Sequence, residues 1–168
     1  MEKKLISAEI SGGGFVALCS IFMRRLYTLN GGELIGILFG AVNNSPWETA
    51  KTLLLPYLVW ALLELMAVKP RVCRFTAAKT AGLYLLGAVY LSLSLLLPEP
   101  LAAAVGVCAA FMLPLWLYRT ALPLQRLFAL SVCLLFLFVA LYFSLTPFAP
   151  HLALFRDAET GMYGIPTV

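Results

Sequence analysis

Residues Leu124–Pro147 read LQRLFALSVCLLFLFVALYFSLTP, and no charged residue follows Arg126 up to Pro147. A helix crossing a bilayer needs about 20 predominantly apolar residues, so this stretch points to lipid as its solvent. Three more segments have the same character: Pro46–Val68, Phe75–Leu97 and Leu101–Thr120. A fifth, Ala8–Leu29, is interrupted by Gly12, Gly13 and Gly14 and ends near Arg24 and Arg25. A helix over Ser7–Asn30 spans about 36 Å, enough to bring both arginines to a headgroup region. The expected fold class is therefore an all-α membrane protein of about five transmembrane helices, one integral membrane domain over residues 1–168.

Composition agrees. Hydrophobic residues make up 62% of the chain and charged ones 12%, against about 25% charged in ordinary soluble domains. The links are short: Lys69–Arg74, Pro98–Pro100 and Ala121–Pro123. Links of that length make successive spans antiparallel neighbours. Lys3, Lys4, Lys69, Arg71, Arg74, Lys79, Arg119 and Arg126 then fall on one side, and Arg24, Arg25, Lys51 and Arg156 on the other. The positive-inside rule makes the first side cytoplasmic. This places the N-terminus in the cytoplasm and the C-terminus outside, in a cell membrane. The start, Met1-Glu2-Lys3-Lys4, reads as retained for want of a small-residue cleavage site. The net charge of +4 is accounted for by this asymmetry, and no nucleic-acid partner is expected.

Within Gly32–Ala41, Gly32, Gly36 and Gly40 recur every four residues. The run is too short to span, so it reads as a re-entrant or interfacial helix with a small-residue face for close packing. Ser45-Pro46-Trp47-Glu48 is a helix start: Ser45 caps, Pro46 suits the first turn and Glu48 completes a capping box. Pro56 and Pro114 lie inside spans, and each should free a backbone carbonyl. Glu64 and Lys79 are equally far from the centre of the Lys69–Arg74 link, so they should pair at matched depth near the cytoplasmic surface.

The chemistry-bearing residues gather in two segments on the outer side. Asn43, Asn44, Trp47, Glu48 and Lys51 surround the second span's start, and His151, Arg156, Asp157 and Tyr163 lie in the tail 148–168. The turn-forming Ala158–Gly161 predicts a folded tail with a short hairpin. Shared sidedness suggests one outer polar site. A plainer account makes Trp47 an interfacial anchor and Lys51 a snorkelling charge. The four cysteines, Cys19, Cys73, Cys108 and Cys133, lack paired spacing, and three sit in apolar runs as packing residues. His151 is the only histidine, so no metal site and no cofactor are expected. No Gly-x-Ser-x-Gly or His-Glu-x-x-His pattern occurs, and catalytic residues cannot be assigned.

Ala41–Lys51 with Pro56, together with Pro150–Gly164, resembles the paired signatures of an uncharacterised family of small bacterial multi-pass membrane proteins, a domain of unknown function. The two motifs cover about a sixth of the chain. The family's pattern often has an acidic residue after the first Asn and a His after Trp-Glu. Asn44 and Thr49 stand there in this chain, which weakens any acid–base role carried over to them. The resemblance implies a bacterial membrane location and no activity. The leading expectation is binding or moving a small molecule or lipid at the outward-facing polar site. Alternatives are a membrane-embedded enzyme on a lipid-linked substrate, with Glu48, His151 and Asp157 as acids or bases, and an accessory subunit. The latter would dock another membrane protein through small-residue faces such as Ala102, Gly106 and Ala110.

Overall fold

The computed structural model describes residues 2–120 and 122–165. They form an all-α fold: α1 (Glu2–Leu29), α2 (Leu34–Phe39), α3 (Pro46–Val68), α4 (Val72–Leu93), α5 (Glu99–Arg119) and α6 (Phe128–Ser144). Short 3-10 turns at Leu124–Leu127 and Ala153–Phe155 precede α6 and punctuate the tail. Among the described residues the only β-type pairing is an isolated bridge between Arg156 and Tyr163. Four helical stretches are long and apolar enough to cross a membrane: Lys4–Leu29, Pro46–Val68, Glu99–Arg119 and Leu124–Ser144. Their outer faces fit that environment. Ile10, Met112 and Phe136 are 73%, 68% and 74% exposed, which water would penalise and lipid does not.

The remaining long helix, α4, is the centre of the bundle and packs against α3, α5 and α6. It ends at Leu93, four residues earlier than the expected span. Leu95–Leu97 turn instead, because Pro98 follows and disfavours a helical residue before it. α1 starts at Glu2, earlier than Ala8, and its glycines divide by role. A Cβ on Gly12 would collide with Trp60 and Phe111, whereas Gly14 faces open space. Trp60 uses the gap to donate its Nε1–H to Ala8 O at 3.1 Å. That bond ties α1 to α3.

Pro114 frees Ala110 O as its missing N–H requires. The Tyr57 hydroxyl donates to that carbonyl at 3.2 Å. Gly82 makes room, since a Cβ there would collide with the Tyr57 hydroxyl and come within 2.7 Å of Ala110 O. The Ala102–Gly106–Ala110 face is thus used inside the chain. All three residues are buried, and a Cβ on Gly106 would lie 3.2 Å from Leu86 and 3.4 Å from Tyr90 of α4. This face is closed to another protein.

These contacts define two ends of the bundle. The end near the Lys69–Arg74 link gathers the start of α1, the end of α3, the start of α4 and the end of α5. Arg74 sits there as a cation at the α5 C-terminus. It donates to Leu117 O at 2.9 Å, Tyr118 O at 3.3 Å and Thr120 O. The opposite end carries α2, the start of α3 and the tail. α2 forms where a short helix was expected. A Cβ on Gly36 or Gly40 would come within 2.9 Å of the Tyr27 backbone, so these glycines let α2 lie directly on the end of α1. Arg24 of α1 pairs with Glu99 of α5 at this end.

Candidate functional site

At the tail end, Ser45 caps α3 by accepting from Glu48 N–H at 3.3 Å. The capping box is only half made. Ser45 N–H donates to Asn43 Oδ1 at 2.9 Å, and the Glu48 carboxylate turns inward. There Glu48 Oε2 accepts from Val42 N–H at 3.1 Å and from Lys51 Nζ at 2.9 Å. Its Oε1 accepts from the Thr146 hydroxyl at 2.7 Å. Lys51 Nζ also donates to Thr146 Oγ1 at 2.6 Å and Ile37 O at 3.4 Å. Lys51 and Glu48 are 0% and 2% exposed, so Lys51 does not snorkel and Trp47, also buried, is not an interfacial anchor. Every proton of this ammonium has an acceptor, and both carboxylate oxygens are occupied.

The tail docks against the same helix start. Asn43 Nδ2 donates to Gly164 O at 2.8 Å. Asn44 N–H donates to Asp157 Oδ1 at 3.2 Å. The Trp47 and Phe155 rings lie 5.6 Å apart. Asp157 organises the hairpin by accepting from Glu159 N–H and Thr160 N–H, each at 3.3 Å, and from the Thr160 hydroxyl at 2.5 Å. Burial pushes its carboxyl up, but the Thr160 hydroxyl and the backbone N–H groups of Glu159, Thr160 and Asn44 outweigh that. They hold it below the ordinary aspartate value. Arg156 Nε donates to Gly161 O at 3.4 Å. His151 is exposed and stacks on Tyr163 at 4.6 Å. Glu48 is enclosed with Lys51 and Thr146, so a hydrogen-bonded Glu48–His151 pair is not formed. The segments adjoin, but Glu48 and Lys51 are spent on each other and on Thr146, and Asp157 on backbone N–H groups and Thr160.

A second buried polar cluster lies toward the link end. Lys79 Nζ donates to Glu9 Oε2 at 2.6 Å and is ion-paired with Glu64 Oε2 at 2.6 Å. The Glu64–Lys79 pair was legible from the link geometry. Glu9 joins it from α1. The rings of Phe111, Phe75 and Tyr57 surround the ammonium at 5.2, 5.6 and 5.7 Å from ring centre to Nζ, within cation–π range.

Two cavities flank this region. One of about 420 Å³ opens at the link end, where Arg71, Arg74 and Arg119 meet the apolar side chains of Leu5, Val68 and Leu115. The other, about 280 Å³, is a nearly apolar crevice between α3, α4 and α6 that reaches Lys79 and Thr80.

Comparison with protein-family models, curated proteins and solved structures finds no match for the chain.

Sequence reasoning missed two residues that matter most here, Thr146 and Glu9. Glu9 had a readable signal, an acid inside an apolar segment. Thr146 had none, because a lone hydroxyl before a proline carries no pattern. The cysteines also differ from expectation. Cys108 and Cys133 are exposed on the outer faces of α5 and α6 rather than packed inside.

Proposed function

We propose that the chain is a five-span integral protein of a bacterial cell membrane, with a cytoplasmic N-terminus and an extracytoplasmic C-terminus, that binds an amphipathic anion such as a phosphate-bearing lipid. The fifth span is α4, whose 22 residues give about 33 Å. Its Lys79 is paired inside the bundle, which lets a helix of lower hydropathy cross. The observation that carries the ligand class is the cavity at the link end. Three arginines share its wall with leucine and valine side chains. Guanidinium forks suit phosphate oxygens, and the apolar wall suits acyl chain. Basic pockets between helices on the cytoplasmic side are where anionic headgroups bind. The outer polar segment, closed on itself, then serves to fasten the tail rather than to hold ligand.

Native mass spectrometry of the protein with equal amounts of anionic and zwitterionic phospholipid tests this reading. Retention of the anionic lipid is expected, with at least a tenfold loss in an Arg71→Gln, Arg119→Gln double variant. Arg74 is left intact because it holds the α5 end. Equal retention of both lipids, or no change in the double variant, overturns the proposal. A second reading keeps the ligand outside. It is favoured by the exposed His151–Tyr163 stack, and lipid retention sensitive to Tyr163→Ala but not to the arginine pair would support it.

A further inference from the structure

Glu9, Glu64 and Lys79 come from three helices and meet in the bundle interior, 2%, 2% and 5% exposed. One ammonium faces two carboxylates, so with all three ionised the cluster carries a surplus negative charge. Among the described residues, the ionisable group facing it from α1 is Glu9. From α3 come Glu64 and Tyr57, and the Tyr57 hydroxyl is already committed to Ala110 O. From α4 comes Lys79, with Arg74 nearer the link but donating to α5 carbonyls. From α5 comes Tyr118, and from α6 the wall is Leu135. An unbalanced charge in such a place is costly, and the usual relief is a change of protonation.

The unmade hydrogen bonds point the same way. Lys79 hydrogen-bonds Glu9 Oε2 and is ion-paired with Glu64 Oε2. Glu9 Oε1 and both oxygens of Glu64 are buried without a hydrogen-bond partner among the described residues. The Thr80 hydroxyl is likewise buried and without such a partner, and it lines the crevice beside Lys79. A carboxyl that gains a proton becomes a donor, while the unprotonated one remains an acceptor. One added proton therefore cancels the surplus charge and supplies the missing donor.

We propose that Glu9, Glu64 and Lys79 form a proton-binding site that holds one proton on its two carboxyls at neutral pH. The proton comes from water, whose hydroxide stays in the bulk, and adds to a carboxylate lone pair. Lys79 and Thr80 line the adjoining crevice of about 280 Å³. A metal cation is disfavoured by the chemistry present, because the Lys79 ammonium already takes the cation's place between the carboxylates. This site does not depend on the lipid-binding reading.

Infrared spectroscopy of the protein in lipid at neutral pH, prepared in H₂O and in D₂O, tests the proposal. The wild type is expected to show a deuterium-sensitive carbonyl band of a protonated carboxylic acid. A band from any other acid survives Glu9→Gln and Glu64→Gln, so the band belonging to the site is the one that both substitutions remove. Glu9→Gln and Glu64→Gln each leave one carboxylate for Lys79, so each abolishes the band. Lys79→Met leaves two carboxyls without a cation, and the band doubles. A wild type with no such band, or with none that both glutamine substitutions remove, overturns the proposal. So does a band that vanishes when choline is replaced by sodium, since a metal ion would then be the occupant. A wild type without the band decides against the proposal even where a variant does not fold, and Glu9→Asp and Glu64→Asp, which keep a carboxyl at each position, are expected to retain the band.

Discussion

Thr146 does the most for its size. Its hydroxyl donates to Glu48 and accepts from Lys51, so one small side chain at the end of α6 completes an ion pair on α3. The pair itself could be read from Glu48 and Lys51 standing three apart. Its closure could not, because the partners are separated by more than ninety residues. Replacing Thr146 by Val keeps the shape and removes both hydrogen bonds. A buried charged pair left short of partners should lose roughly 1–3 kcal/mol. Lys51→Met should lose more, about 3–5 kcal/mol, since it leaves Glu48 buried without its cation. Thermal melting in detergent should rank wild type above Thr146→Val above Lys51→Met. A Thr146→Val variant as stable as wild type would mean that the hydroxyl bridge is not formed in solution.

Among elements, the helices were more legible than their uses. Composition located α3, α5 and α6, because about 20 apolar residues leave few other structures. It also placed α2 and the tail hairpin, through glycine spacing and turn residues. What it could not give was partner choice. The Ala102–Gly106–Ala110 face looked available to another protein and is instead filled by Leu86 and Tyr90 of α4. A small-residue stripe states that something packs closely, not what. The tail shows the same limit, since Asp157 looked like an acid for chemistry and acts as the hairpin's acceptor. Its folded value lies below the ordinary one. Its stabilising effect is therefore full above the unfolded value and is lost as pH falls through the folded value. Tail docking should accordingly be flat between about pH 5 and 8. Asp157→Asn removes the charge at every pH. Trypsin cleavage after the exposed Arg156 should then accelerate about tenfold at neutral pH, as expected for a loss of about 1.4 kcal/mol in docking. Cleavage at the wild-type rate would show that the hairpin does not depend on the carboxylate.

For the whole molecule, sidedness organises everything else. With the five spans and the orientation proposed above, the Glu9–Glu64–Lys79 cluster and the arginine-walled cavity share the cytoplasmic half, and the tail with its Thr146 lock sits outside. With four, α4 would be an interior helix and the two termini would fall on the same side. The proposed count of five rests on α4 running alongside α5 between the same two ends: Arg74 reaches the end of α5, and Tyr90 lies against Gly106 toward its start. Eight of the twelve basic residues lie toward the link end on this arrangement, which the positive-inside rule assigns to the cytoplasm. Alkaline phosphatase fused after Val168 should be active, and a fluorescent protein that matures only in the cytoplasm should stay dark there. The same reporters placed in the Lys69–Arg74 link should give the opposite pair of results. Fluorescence at both positions would mean an even number of crossings between the link and the C-terminus. In that case α4 does not span, and the outward position of the tail is lost with it.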